Sequence, residues 1–237
     1  MSTQDQDIAS SILRRGLVGR FHAGTTPGPA LLVLGGLEGG LETADEVAKQ
    51  FAAGGFASLA LAYFGTPPLP AMLGEIPLEY FHKAVDWLHE QPGLHSKRVG
   101  VVGHSKGAEA ALLIGATAPQ VRAIVAYCPS HVAWQALNAA RTYRTNGTGT
   151  PRNVHEDFGG PCQFIIERLQ TNSFAYRYQH LEYPDAGHAI MGLGSVPASV
   201  EGPWGEIRFG GTEAANASAR VDTWNNVLRF LRDELGD

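Results

Sequence analysis

The feature that most constrains the fold is an alternation of short apolar segments with amphipathic helix patterns. The apolar segments are residues 30–34, 57–62, 98–103 and 122–128. Each is apolar at nearly every position, which is typical of parallel strands covered by helices on both faces of a sheet. The sequence therefore predicts an α/β protein whose sheet is mainly parallel, with helices on both faces.

The helix patterns lie between and after these segments, where apolar residues recur at steps of three and four positions. The predicted helices are residues 42–53, 77–90, 106–117 and 213–235. Two further segments predict edge strands: 16–23, as part of an antiparallel hairpin, and 176–183, where polar and apolar residues alternate.

Two long segments follow neither period, and both are rich in glycine or small polar residues. They are residues 136–160 and 192–211, and loops of this length usually serve a function such as that of a lid. We find no internal repeat and no change of composition typical of a linker. Residues 1–237 are therefore predicted to form one domain.

Charge and hydropathy argue against several classes of function. Eighteen Lys and Arg against 23 Asp and Glu give a net charge of −5, whereas a nucleic-acid-binding protein usually needs a basic face. No apolar run approaches the roughly 20 residues of a membrane span. Residues 1–11 lack the basic and apolar regions of a signal peptide. We expect a soluble, cytoplasmic protein with no nucleic-acid or membrane partner.

The motif with the clearest chemical meaning is Gly103-His104-Ser105-Lys106-Gly107, which matches the pattern G-x-S-x-G. A predicted strand leads into the motif and a predicted helix leads out, as in the turn that exposes a nucleophilic serine. Glycine on both sides suits this turn because the strand and helix backbones approach closely. We predict that Ser105 is the nucleophile; the alternative is a glycine-rich turn with an inactive serine.

A serine hydroxyl needs a base that takes its proton, and we expect that base in a loop after the final strand. Of the nine histidines, only His188 has this position, in a turn directly after residues 176–183. His104, inside the motif, is expected to pack or to line the pocket. Cys128 closes an apolar run and is expected to be a buried structural thiol.

Oxyanion stabilisation needs backbone N–H groups that point at the developing charge. We predict the N–H of Lys106, directly after the nucleophile, and the N–H of Leu37, in the glycine-rich loop 35–40. This loop lacks the G-K-[ST] ending of a phosphate loop, so we predict no nucleotide cofactor. No HExxH or paired-cysteine spacing occurs, so no metal site is predicted.

With these residues in place, the chain resembles the C-terminal catalytic domain of the acyl-CoA thioesterase / bile acid-CoA:amino acid N-acyltransferase family. This family belongs to the α/β-hydrolases, near the dienelactone hydrolases. The resembling stretches are residues 31–41, 59–88, 98–113, 128–137, 176–190 and 210–235. The resemblance implies an α/β-hydrolase fold and cleavage of an acyl thioester through an acyl-enzyme intermediate. With a serine at 105, the chain looks more like the hydrolytic thioesterases than the amino-acid acyltransferases.

The sequence departs from the family pattern at two places. The family usually carries an N-terminal β-sandwich domain, whereas here the first core strand begins at residue 30. The expected strand at 162–166 runs at once into what resembles the end of the next helix, so we expect the fold to be truncated around the acid-bearing strand. Asp157 and Glu167 remain as candidate acids, and both are expected to be solvated surface carboxylates.

The leading functional hypothesis is a serine hydrolase acting on an acyl thioester or a small ester. One alternative is a carboxylester or lactone hydrolase of the dienelactone type, since the fold does not fix the leaving group. Another is a catalytically impaired, hydrolase-like binding module, because the acid is missing. Coenzyme A phosphates would best meet Arg141, Arg144 and Arg152, although a solvated loop face is expected there. The oligomeric state is left open.

Overall fold

A five-stranded sheet forms the centre of the computed structural model, which describes residues 16–24, 28–92, 94, 98–132, 161–196, 199–202 and 205–236. The strands are β1 (Val18–His22), β2 (Ala30–Leu34), β3 (Ala57–Ala62), β4 (Val99–His104) and β5 (Val121–Tyr127). Their order in the sheet is β1-β3-β2-β4-β5. Within this sheet, strands β2 to β5 run parallel, and β1 pairs antiparallel with β3 at one edge. The mainly parallel sheet is therefore confirmed.

Helices cover both faces of this sheet. They are α1 (Glu42–Ala53), α2 (Leu78–His89), α3 (Lys106–Thr117), α4 (Pro161–Thr171) and α5 (Glu213–Leu235). Helices α1 and α5 pack on one face, and α2 and α3 pack on the other. No described helix has the length and apolar character that a membrane crossing requires.

Strand β2 shows why the apolar segments are nearly continuous. Its Leu32 and Leu34 pack in the core beneath α2 and α3, whereas Leu31 and Val33 pack in the core beneath α1 and α5. Successive side chains of a strand point to opposite faces, so a sheet with two buried faces needs apolar residues at every position. The two layers thus account directly for the pattern in the sequence.

The edge strand β1 is fastened to the first helix by a buried carboxylate. Asp45 of α1 bonds to Arg20 and, at 2.7 Å, to His22 Nε2, while Lys49 approaches from the same helix at 2.9 Å. Burial alone would raise the pKa of Asp45, but hydrogen bonds from Lys49, His22 and Arg20 outweigh burial and hold that pKa below its ordinary value. Residues 16–23 thus do contain an antiparallel edge strand, but its partner is β3 rather than a hairpin neighbour.

The expected strand at 162–166 is wrong, because these residues lie inside helix α4. Proline at the first helical position costs no hydrogen bond, and Gln163 and Glu167, one turn apart, bond to each other at 3.2 Å. Between β5 and His188, the described residues (128–132 and 161–188) contain this helix and no strand. Residues 133–160, which lie between these two parts, are outside the described residues.

The prediction of an edge strand at 176–183 is also wrong, since these residues pair with no strand of the described chain. They lie along α5, where Arg177 donates to Asp233 at 2.9 Å and the Tyr183 hydroxyl bonds to Asp222. Arg177 and Tyr183 of this segment thus contact a helix rather than a strand. Residues 192–211 hold an antiparallel strand pair, β6 (Ser199–Gly202) and β7 (Gly205–Arg208), rather than an irregular loop throughout. The loop 136–160 lies outside the described residues.

Candidate active site

Ser105 occupies a sharp turn between the end of β4 and the start of α3. Its backbone has φ 56° and ψ −115°, a conformation that is uncommon for a residue with a side chain. The Ser105 N–H donates to the Tyr127 carbonyl of β5 at 2.9 Å, and its carbonyl accepts from the amides of Ala108 and Glu109. Backbone strain of this kind concentrates at functional sites, and this is the turn that presents a nucleophile.

The two glycines of the motif are required by close backbone contacts. A Cβ on Gly103 would lie 2.1 Å from the carbonyl oxygen of Gly107. A Cβ on Gly107 would lie 2.3 Å from the carbonyl oxygen of Gly35, in the loop after β2. Neither position has room for a side chain, so the motif packs the turn tightly against the neighbouring loop.

The glycine-rich loop after β2 lies beside the nucleophile. A Cβ on Gly36 would come within 3.1 Å of the Ser105 Cβ. The Tyr63 hydroxyl donates to the Gly35 carbonyl at 2.8 Å and fixes the loop from the end of β3. Leu37 follows Gly36 in this loop, and Lys106 begins α3, where the first amides have no partner within the helix.

The side chain of Lys106 is not a free charge at the site. Its Nζ bonds to both carboxylate oxygens of Glu109, at 3.0 and 3.1 Å, and both side chains are about nine-tenths buried, with 10% and 11% exposed. The predicted role of Lys106 therefore depends on its backbone amide, which lies at the positive end of the helix.

His188 lies in a loop that returns against the elbow. Its backbone N–H donates to the Phe209 carbonyl at 2.6 Å, and its neighbour Gly187 donates to Asn216 Oδ1 at the same distance. The imidazole packs against that of His104, with ring centroids 4.7 Å apart, and its Nδ1 is buried. Since His104 directly precedes Ser105, the loop that carries the predicted base lies against the residue before the predicted nucleophile.

His104 supports the loop that carries His188. Its Nε2 donates to the His188 carbonyl at 2.8 Å. Burial lowers the pKa of His104 most, and the charge of Arg220 acts in the same direction, whereas the bond to His188 and the charge of Glu38 oppose them. His104 is therefore a neutral donor that packs beside the base, as the sequence predicts.

Cys128 completes a group of three side chains that could be considered as metal ligands. Among the described residues, atoms of His104, Cys128 and His188 lie within 4.8 Å of one another. Metal binding needs a thiolate, but burial raises the pKa of Cys128 to about 12. The Cys128 thiol and His104 Nε2 also both donate to the His188 carbonyl, at 3.5 and 2.8 Å. This donor set suits packing of the base loop better than a metal.

The structure describes one of the two candidate acids, Glu167, but not Asp157. Glu167 lies exposed on α4 and accepts a hydrogen bond from Gln163, so it is a surface carboxylate, as expected. Asp157 lies outside the described residues, together with Arg141, Arg144 and Arg152. Neither position is brought to the base by the described part of the structure.

The structure shows one carboxylate near the site that the sequence reasoning missed. Glu38 Oε1 accepts the Gly36 N–H at 2.9 Å. A Cβ on Gly36 would lie 2.9 Å from Glu38 Oε2 and 3.3 Å from His104 Nδ1, which places this carboxylate beside the elbow. Both candidate acids named from the sequence lie between Ser105 and His188 in the chain, whereas Glu38 precedes Ser105. An acidic residue inside the predicted oxyanion loop was the signal that could have revealed it.

Comparison with known proteins identifies the family of this chain. The family described as BAAT / Acyl-CoA thioester hydrolase C terminal matches residues 76–154 and 161–237. Acyl-coenzyme A amino acid N-acyltransferase 1 of Mus musculus is 34% identical over 270 residues, covering 90% of this chain and 61% of that protein. Acyl-coenzyme A thioesterase 6 of Homo sapiens is 29% identical over 258 residues, covering 88% and 61%. The chain thus spans about three-fifths of the length of these curated relatives.

A solved structure has the same overall fold. It is that of a dienelactone hydrolase-like promiscuous phosphotriesterase from metagenomic libraries, with a TM-score of 0.63, 18% identity and coverage of 93% of both chains. This likeness establishes an α/β-hydrolase fold, and the family match extends over more than half of the sequence. The chain therefore belongs to the BAAT / acyl-CoA thioester hydrolase C-terminal family.

Proposed function

We propose that this chain is a serine hydrolase that cleaves an acyl thioester of the acyl-CoA type, or a small ester, through an acyl-enzyme intermediate. The observation that carries the proposal is the strained elbow at Ser105, with the His188 loop bonded to the residue that directly precedes it. The family includes proteins named as acyl-CoA thioesterases and acyltransferases. A serine and a histidine at such a turn are the components of acyl transfer.

In the proposed mechanism, Ser105 Oγ attacks the acyl carbon while His188 accepts the hydroxyl proton. The amides of Leu37 and Lys106 stabilise the oxyanion of the tetrahedral intermediate. Collapse of this intermediate breaks the bond to the leaving group, which takes the proton from His188. Water then attacks the acyl-serine with His188 as base, and a second collapse releases the carboxylic acid and restores Ser105.

The proposal assigns no triad acid. Glu167 is an exposed helix carboxylate, and Asp157 lies outside the described residues. Glu38 lies beside His104 and Gly36, where its charge acts on the oxyanion loop and on His104. Hydrolysis by serine and histidine with an oxyanion site retains part of the rate of a full triad.

The first prediction is that a fluorophosphonate probe labels the wild-type protein and that Ser105→Ala abolishes the labelling. Hydrolysis of p-nitrophenyl butyrate and butyryl-CoA falls at least about 10³-fold in this variant, because the attacking atom is lost. The thermal midpoint stays within a few degrees. Ser173→Ala is a matched control, since Ser173 is also a serine with positive φ (50°) but lies exposed after α4.

Each outcome of this experiment has a clear meaning. Labelling that persists in Ser105→Ala overturns the assignment of the nucleophile. A wild-type protein that is neither labelled nor active overturns the proposed function and favours a hydrolase-like binding module. Comparison of kcat/KM for butyryl-CoA, p-nitrophenyl butyrate and a small lactone separates thioesterase from dienelactone-type activity.

A further inference from the structure

Helix α5 carries three buried polar residues on the side that meets the His188 loop. Asn216, Arg220 and Thr223 are 0%, 6% and 4% exposed, and they follow one another at steps of four and three residues. Burying polar groups costs free energy unless each group forms a hydrogen bond. Their partners show what these residues do.

Asn216 joins the two chain segments that flank the base. Its Oδ1 accepts the N–H of Gly187 at 2.6 Å, and its Nδ2 donates to the carbonyl of Gly210 at 3.1 Å. Gly187 directly precedes His188, and Gly210 directly follows Phe209, which accepts the His188 N–H. One amide side chain thus locks the backbone pairing on the entry side of His188.

Arg220 holds the backbone on the exit side of His188. Its Nη1 donates to the Ala189 carbonyl at 3.0 Å, its Nη2 to the Leu193 carbonyl at 2.8 Å, and its Nε to the Gly194 carbonyl at 3.0 Å. The chain after the base therefore wraps around one buried guanidinium. The rigid fork of an arginine suits three fixed acceptors better than a flexible ammonium would.

We propose that Asn216 and Arg220 are positioning residues that hold His188 in the orientation for catalysis. Together they fix the backbone at 187, 189, 193, 194 and 210, so the imidazole has a rigid frame beside Ser105. This inference rests on the proposed function, in which His188 is the base. In a full triad, a carboxylate orients the histidine by bonding to its ring. Asn216 and Arg220 instead bond to the backbone on either side of His188.

The test compares Asn216→Ala and Arg220→Gln with two controls on the same helix. Arg232→Gln removes an arginine whose Nη2 donates to the Gly54 carbonyl at 3.2 Å, remote from the base loop. Leu231→Ala removes a fully buried side chain that packs against the sheet, and so lowers stability without touching the loop. All assays are made well below the thermal midpoint of each variant.

We expect kcat for p-nitrophenyl butyrate to fall about 10- to 100-fold in both test variants, with KM changed less than threefold. A misplaced base slows chemistry but leaves the binding surface intact. Leu231→Ala keeps kcat within about twofold although its midpoint falls as far or further. If kcat falls in proportion to the thermal midpoint in all variants, including Leu231→Ala, the role of Asn216 and Arg220 is merely structural and the proposal is overturned.

A second measurement does not depend on activity. In protein with labelled histidines, a nuclear Overhauser effect between the rings of His104 and His188 is expected from their 4.7 Å separation. The effect is lost or weakened in Asn216→Ala and Arg220→Gln and is kept in both controls. Unchanged ring contacts in the test variants overturn the positioning role. A wild-type protein that is neither labelled nor active overturns the proposed function instead.

Discussion

Gly107 shows how strongly one residue can be fixed by its surroundings. A Cβ at this position would lie 2.3 Å from the Gly35 carbonyl oxygen and 2.7 Å from that of Leu34, and neither backbone can retreat easily. We expect Gly107→Ala to lose about 1–3 kcal/mol or more of stability and most of the activity. Unfolding by urea and hydrolysis of p-nitrophenyl butyrate measure the two effects.

Gly115→Ala is the matched control on the same helix. Its new Cβ meets the side chain of Ile124, which can change rotamer, rather than a backbone carbonyl. We expect a smaller loss of stability and unchanged activity. Wild-type midpoint and turnover in Gly107→Ala would contradict the close approach of the elbow to the glycine-rich loop.

His104 has a consequence for stability against pH. Burial, the largest cause, lowers its pKa in the folded protein below the ordinary value near 6.5. Below about pH 6.5 the unfolded chain therefore binds more protons at this residue than the folded chain does, so the free energy of unfolding rises with pH in this range. The contribution of His104 to the free energy of unfolding is complete above about pH 6.5, and it declines as pH falls toward the folded-state pKa of this residue.

The expected result is a fall in the urea midpoint between pH 7 and pH 5 that is smaller in His104→Gln than in the wild type. Glutamine keeps an N–H donor for the His188 carbonyl but does not titrate. His180→Gln is the control, because His180 is exposed to solvent. Equal pH dependence in His104→Gln and the wild type would contradict the lowered pKa of His104.

At the residue scale, the sequence predicted what local patterns encode. Ser105 and the glycine-rich loop were predicted from short-range features, a strand–turn–helix pattern and a glycine cluster, whereas His188 was placed after a strand at 176–183 that the structure does not contain. Glu38 was missed since its relation to Ser105 arises only when β2 and β4 lie side by side. Cys128 was expected to be structural, but its bond to the His188 carbonyl joins residues 60 positions apart, which no local pattern reveals.

Helix α5 offers a test at the scale of one element. Trp224 is nearly buried on this helix and packs against Phe51 of α1, with ring centroids 4.6 Å apart. We expect Trp224→Ala to cost about 3–5 kcal/mol, because truncation leaves a large cavity between two helices. Urea melts of the variant and of Val221→Ala, an exposed position on the same helix, provide the comparison. A loss under about 1 kcal/mol for Trp224→Ala would mean that α5 is not docked on the sheet.

Elements with two buried faces or a clear amphipathic period were predicted well. Helices α1, α3 and α5 begin and end at the predicted residues, and the four core strands differ by one residue at most at either end. The errors concern segments whose partner decides their structure. Residues 162–166 are rich in strand formers yet lie in a helix, and 176–183 alternates like a strand yet lies along α5.

At the scale of the whole molecule, helices cover both faces of the sheet, and the candidate active site lies at the carboxyl ends of the parallel strands. Ser105 follows β4, the glycine-rich loop follows β2, and Cys128 follows β5. Side chains after neighbouring parallel strands gather at one edge, which is where open α/β sheets bind their ligands. At this edge, the loop that carries His188 lies against His104, the residue before Ser105.

Helix α5 contacts both the loop that carries His188 and the core, so we expect the two to open together. The amides of Gly187 and His188 donate to Asn216 Oδ1 and the Phe209 carbonyl, while Leu231 and Leu235 of the same helix lie beneath the sheet. We expect both amides to exchange with deuterium only as slowly as the amides of α5 itself, whereas the exposed segment 176–183 exchanges within seconds. Exchange of 187–188 at the rate of 176–183, measured by mass spectrometry, would show a loop that opens independently. Slow exchange would mean that His188 cannot leave its place without the global opening of the fold.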